Sequence, residues 1–110
     1  MNLDKLTSHD FTPYLHHLFF IQLEEGQPYP LELISIQELG EGHQAGVRRP
    51  FSLLFRNQRK DAYLPQHIYQ LRFEPLAGQP LSDEPPDTLD LFLVPLGPDQ
   101  DGTRYEVIFT

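Results

Sequence analysis

The stretch Leu89-Asp-Leu-Phe-Leu-Val-Pro-Leu-Gly-Pro-Asp-Gln-Asp-Gly-Thr-Arg-Tyr-Glu-Val-Ile-Phe-Thr110 holds two alternating runs about one polar turn. In the first run Leu89, Leu91 and Leu93 fall on one side and Asp90, Phe92 and Val94 on the other; in the second, Tyr105, Val107 and Phe109 oppose Arg104, Glu106 and Ile108. A period of two is strand geometry, because successive side chains of a strand point to opposite faces. Between the runs, Gly97-Pro-Asp-Gln-Asp-Gly102 supplies residues that preset a turn or accept positive φ, and predicts a hairpin with a wide loop. The first run is apolar on both sides. Its strand is therefore expected to be central, or covered on the Phe92 side by a helix or another subunit.

Working back from this hairpin, the same alternation recurs four times. Phe19, Ile21 and Leu23 run into Glu24-Glu-Gly26, and Tyr29, Leu31 and Leu33 resume the parity beyond it, which predicts a second hairpin. After Leu33 the parity breaks at Ile34 and Ile36, as a β-bulge or a section buried on both faces would require. Phe51, Leu53 and Phe55 mark a third strand, and Tyr69, Leu71 and Phe73 a fourth. At the amino terminus Thr7-Ser-His-Asp10 carries a hydroxyl followed three residues on by an acid, a helix start, with Leu6, Phe11 and Leu15 as its buried side chains and Pro13 limiting its length. The expected elements are a helix over 8–16 and strands over 18–25, 29–38, 50–56, 67–74, 88–96 and 103–110, with a flexible Pro-rich loop over 76–87. These form a single domain, 1–110, mainly β: a small antiparallel β-barrel of the Sm or SH3 type, of about six strands with a short N-terminal helix. A two-sheet β-sandwich is the alternative.

Composition narrows the function classes. The chain has no cysteine, so disulfides, thiolate nucleophiles and thiolate zinc sites are ruled out. The first residues lack the basic start and apolar run of a secretory signal, and no run reaches the roughly 18 apolar residues of a membrane helix; a cytoplasmic protein without membrane contact is expected. A net charge of −8 opposes generic affinity for nucleic acid.

No constellation of catalytic residues stands out. Among His9, His16, His17, His43 and His67, the adjacent His16 and His17 would point about 100° apart on a helix or to opposite faces of a strand, neither of which chelates as an i, i+4 pair does, and scattered surface histidines are the plainer reading. Asp99-Gln-Asp-Gly102 superficially matches a calcium loop, but Gly97 and Ile108 stand where that loop needs acids, so no metal site is expected. Glu24-Glu25 and Asp83-Glu84 read as solvated turn acids, and no nucleophile sits in a recognisable elbow. Neither catalytic residues nor a cofactor are expected. Charge is unevenly spread, however: Arg48, Arg49, Arg56, Arg59, Lys60 and Arg72 are six of the eight basic residues, while acids crowd the carboxy-terminal end. These six form a candidate partner-binding basic patch; the bland alternative is ordinary loop charge, since exposed pairs contribute only ~0–1 kcal/mol each.

The strings Arg49-Pro-Phe-Ser-Leu-Leu-Phe-Arg56, Leu64-Pro-Gln-His-Ile-Tyr69, Leu91-Phe-Leu-Val-Pro-Leu-Gly-Pro-Asp99 and Gly102-Thr-Arg-Tyr-Glu-Val-Ile-Phe109 resemble a family of small bacterial proteins catalogued only as a domain of unknown function. The resemblance runs from Leu6 to the end and includes Leu6-Thr7, Asp10-Phe11 and Pro13, with a departure in the Pro-rich segment Ala77 to Asp87. It implies no activity, cofactor or catalytic residue.

The expected role is a non-enzymatic interaction or structural module whose partner is itself or another protein. Self-association is expected because the final strand carries only Arg104 and Glu106 as charged guards of its edge, with Ile108 apolar between solvent and sheet. Such an edge pairs either by closing its own barrel or by joining a neighbour's sheet. RNA binding through the basic loops, with Tyr63 or Phe51 as stacking surfaces, is the alternative from another class. A small-molecule pocket ranks last.

Overall fold

The computed structural model describes residues 6–22, 28–39, 50–59, 64–74 and 88–109. Six antiparallel strands, β1 (Leu18–Ile21), β2 (Tyr29–Glu38), β3 (Phe51–Asn57), β4 (His67–Phe73), β5 (Thr88–Asp99) and β6 (Gly102–Phe109), close into one barrel in the order β1-β2-β3-β6-β5-β4. Closure through the β1–β4 ladder, Phe19 opposite Phe73 and Ile21 opposite Leu71, excludes the sandwich alternative. No helix among the described residues is long and apolar enough to cross a membrane.

Alternation decides what lies inside. Leu89, Leu91 and Leu93 of β5, Tyr105, Val107 and Phe109 of β6, Phe51, Leu53 and Phe55 of β3, and Tyr29, Leu31 and Leu33 of β2 are all buried, joined by Phe19, Ile21, Leu71 and Phe73. Full burial of such a side chain contributes about 1.5–3 kcal/mol before chain entropy is subtracted. Tyr69 is half-buried and packs against this core rather than within it. The parity change in β2 is a bulge: its register against β3 shifts between Leu33 and Ser35, which reorients the rest of the strand and helps the sheet curl.

The turn that joins β5 to β6 differs from the expected wide loop. β5 continues through Pro95 to Asp99, Asp99 pairs with Gly102, and Gln100-Asp101 alone makes the turn. The Gly and Pro residues that suggested a loop instead serve a second bulge, between Pro95 and Gly97, where Pro95 can lack an N–H and Gly97 takes φ +95°. Gly102 is required for a different reason. Its φ is +150°, and a Cβ there would lie 1.9 Å from the Asn57 carbonyl oxygen, so β6 can begin flush against the end of β3 only without a side chain.

The amino-terminal segment closes one end of the ring. Helix α1 spans only Ser8–Phe11 and passes directly into a 3-10 turn at Thr12–Tyr14, where Pro13 occupies an early position. The Thr7 N–H donates to the Asp10 carboxylate at 2.8 Å, the expected reciprocal cap, and the Ser8 hydroxyl donates to Glu38 at 2.9 Å, tying the helix to β2. His16, expected near the helix end, stands at φ +71° with its N–H bonded to the Leu33 carbonyl. Phe11 packs on Phe51 and Phe109, which stack with centroids 4.5 Å apart, and Tyr14 meets Phe19 and Phe73. Tyr14, not Leu15, is thus the fully buried residue of the second turn; Leu15 is only half-buried. The expected extension of β1 over Leu23–Glu25 and the loop over 76–87 lie outside the described residues.

The expectation for β5 holds in its first form: the strand lies between β4 and β6, as a central strand does. Among the described residues no helix lies over its outer face, and Phe92 is exposed. The physical reason is that α1 sits on the open end of the ring rather than on its wall. Truncating Leu91 to Ala should therefore cost about 2–5 kcal/mol, whereas Phe92→Ala should stay within about 1 kcal/mol of wild type. Chemical denaturation of the two variants measures this, and equal losses would show that the Phe92 face is covered.

Candidate functional site

The end of the barrel opposite α1 is closed by hydrogen bonds among side chains. β3 and β4 stand on opposite sides of the ring, and Arg59 and Leu64, the described residues at either side of 60–63, are both bonded at this end. Asn57, the last residue of β3, donates its side-chain amide to the Pro30 carbonyl at 2.7 Å and accepts from the Arg59 N–H at 2.8 Å. The Thr103 hydroxyl donates to the Arg59 carbonyl at 2.8 Å. Deeper in, the Tyr29 and Tyr105 hydroxyls lie 2.8 Å apart, and the Tyr105 oxygen accepts the Leu64 N–H at 2.8 Å. Burial, with the neighbouring Tyr105 as a smaller contribution, pushes the Tyr69 hydroxyl above its ordinary value, and that hydroxyl donates to the Pro65 carbonyl. Each of these hydroxyls holds backbone or another hydroxyl. The cluster ties the ends of β3 and β6 to Arg59 and Leu64, and its single-residue signal in the sequence is too slight to be read without the register.

Of the six basic residues, the structure describes Arg56, Arg59 and Arg72, and it places Arg72 apart from Arg56. Arg48, Arg49 and Lys60 lie outside the described residues. Arg56 sits on β3, opposite Glu32 of β2 and Arg104 of β6, and the exposed Arg59 follows two residues beyond the strand. Arg72 is on β4, across the ring from β3, so the barrel itself separates it from Arg56. Nor is Arg56 an open cation: its Nη2 donates to Asp99 at 2.6 Å, and Arg104 Nε stands 3.9 Å from the same carboxylate. Asp99, at the hairpin tip, thus relieves the repulsion between two arginines that the register places directly opposite each other. Among RNA-stacking candidates, Phe51 is fully buried in the core, and Tyr63 lies outside the described residues.

His9, His16, His17 and His67 are exposed and dispersed, and His43 lies outside the described residues. Among the described residues no three His, Asp or Glu side chains converge closely enough to hold a metal ion. A cleft of about 320 Å³ opens between Phe20, Gln22, Pro28, Arg72, Phe73 and Glu74, at the β1–β4 seam where Phe20 and Arg72 are direct cross-strand partners. This lining offers an aromatic floor and two opposite charges, without a nucleophile or a histidine base.

The remaining feature is apolar. Ile68 of β4 and Phe92 of β5 are cross-strand partners facing outward, and continuing the β5–β6 register by two residues sets Phe92 level with Ile108 of β6. Their exposures are 59%, 47% and 53%, so one row across three adjacent strands presents large apolar side chains to solvent. Scattered exposed hydrophobics are ordinary; here they fall on three strands that neighbour one another in the ring. Phe92 and Ile108 were visible in the alternation of the sequence; Ile68 joins them only once β4 is known to pair with β5.

The Arg56–Asp99 pair carries a testable pH dependence. The hydrogen bond from Arg56 holds the Asp99 carboxyl below its ordinary value of 3.8, partly offset by desolvation and reinforced by the Asp101 and Gly102 N–H groups. The same bond raises the Arg56 guanidinium above its usual value. Because the folded carboxyl is depressed, the stabilisation is fully present above the unfolded value and is lost as pH falls through the folded one. The thermal midpoint of Asp99→Asn should therefore lie below wild type at neutral pH, and the two curves should converge below 3.8. A pH-independent gap would contradict the assignment.

A family model described as a domain of unknown function matches residues 6–109, spanning α1, all six strands and the terminal hairpin. No curated protein and no solved structure matches the chain. With nearly its whole length inside that one match, the chain belongs to the family described as Domain of unknown function (DUF6916).

Proposed function

We propose that the barrel is a non-enzymatic protein-interaction module that docks on another protein, or on a second copy of itself, through the outer row of Ile68, Phe92 and Ile108. The observation that supports this reading is that three adjacent strands each expose a large apolar side chain outside a wall whose inner positions fill the core, with Ile68 and Phe92 direct cross-strand partners. Removing such a row from water contributes about 25 cal/mol per Å² of apolar surface, a gain this chain leaves unused in isolation. Closure of the barrel also limits how a partner attaches. With both sides of most strands laddered within the chain, recognition falls mainly to outward side chains rather than to a free sheet edge.

RNA binding has less support. Arg56 is engaged by Asp99, Arg72 stands across the ring, and Phe51 is buried, so no described basic strip lies beside an exposed aromatic. The cleft at Phe20 and Arg72 supports small-molecule binding more weakly still, since its polar residues are exposed.

Affinity capture from the native host's extract, with wild type and with a Phe92→Ser, Ile68→Ser variant as paired baits, tests the reading. The wild type should retain a defined set of proteins, its own chain among them if it self-associates, which the variant releases. Equal recovery by both would remove the row as the docking surface. Titration with mixed single-stranded RNA should in parallel show no salt-sensitive binding tighter than about 10 μM; binding in that range which falls steeply with salt would replace the protein-interaction reading with the nucleic-acid one.

A further inference from the structure

The wall of the barrel has a partial seam beside this row. β5 is laddered to β4 over Thr88–Leu93 and to β6 only from Val94 onward, while Val107 and Ile108 of β6 are laddered only to β3. In an antiparallel ladder alternate residues direct both backbone groups to the same neighbour. Every second residue of Leu89–Leu93 therefore directs its N–H and C=O to the side on which no β6 residue is paired with it. Phe92 stands on one lip of the seam and Ile108 on the other, both exposed, with Ile68 one strand beyond Phe92.

Charge distinguishes among possible occupants. Asp90, exposed and two residues before Phe92, and Glu106, half-buried and two residues before Ile108, form no ion pair among the described residues. A second copy docking through the same face would bring these acids toward their own counterparts, on a chain already carrying a net charge of −8. A segment carrying lysine or arginine beside its apolar residues meets the same acids favourably. Its extended form suits the stretch Leu89–Leu93, which among the described residues is laddered to β4 and not to β6.

Resting on the interaction reading above, we propose that the seam between Leu89–Leu93 and Val107–Ile108 receives an extended, basic segment of a partner protein. An apolar side chain of that segment seats between Phe92 and Ile108, and flanking cationic side chains reach Asp90 and Glu106. The alternation of the occupant follows from the strand period: one side chain faces the apolar row, its neighbours face away or along the lips.

Fluorescence anisotropy with a labelled probe peptide, Lys-Val-Lys-Leu-Lys-Val-Lys, tests this directly. The wild-type chain should bind it, more weakly as salt increases. Phe92→Ser, and separately the pair Asp90→Asn with Glu106→Gln, should each weaken binding by at least about tenfold, with folding checked by thermal melts. The peptides Glu-Val-Glu-Leu-Glu-Val-Glu and Lys-Ser-Lys-Ser-Lys-Ser-Lys should not bind. Equal binding to wild type and both variants would reduce the effect to attraction by net charge and overturn the proposal, as would the absence of binding. Light scattering that shows a dimer, converted to a monomer by Phe92→Ser, would also overturn it while leaving the interaction module intact, because the row would then belong to a second copy. Loss of the probe together with equal capture by both baits in host extract would remove the module as well.

Discussion

Everything in this barrel depends on β5 having two neighbours and two faces at once. Its first half is held by β4 and its second half by β6, so the strand transfers the ring from one wall to the next. The same alternation that sends Leu89, Leu91 and Leu93 inward sends Asp90, Phe92 and Val94 outward. A one-residue slip in this strand would exchange the two sets and place a carboxylate in the core. The fixed register therefore stabilises the interior and, through the same constraint, defines the exterior surface.

The interior is complete without a ligand. Aromatic side chains seal the end carrying α1, where Phe11 packs on the stacked pair Phe51 and Phe109, and hydroxyl and amide groups seal the other, where Tyr105, Asn57 and Thr103 hold the crossover between β3 and β4. The Asn57 amide, the Thr103 hydroxyl and the Tyr105 hydroxyl each bond to backbone there, which satisfies buried polar groups that would otherwise be costly. On the outer surface Arg56 and Arg104 meet Asp99, while Ile68, Phe92 and Ile108 are among the large apolar side chains left exposed.

Much of the fold was legible because barrel strands repeat one simple rule. The alternation around Leu91 and Val107, the parity break after Leu33, and the cap at Thr7 and Asp10 all correspond to features of the structure. The turn at Asp99–Gly102 was harder to read, because Pro95 and Gly97 have the composition of a loop while serving a bulge, and only pairing distinguishes the two. The candidate surface was half legible. Phe92 and Ile108 announced themselves as apolar residues on polar faces, but their neighbourhood with Ile68 is a property of strand order, which alternation does not encode. Of the clustered basic residues, Arg56 and Arg72 are near in sequence and separated by the barrel in space, while Arg48, Arg49 and Lys60 lie outside the described residues.

The outward row is the central claim, and site-specific photo-crosslinking in the native host tests it most directly. A benzophenone side chain replacing Phe92 should give a discrete adduct, while the same group replacing Ser35, an exposed position on β2, should give none. Adducts of equal yield at both positions, or none at 92, would contradict the assignment of this face as the surface through which the barrel meets its partner.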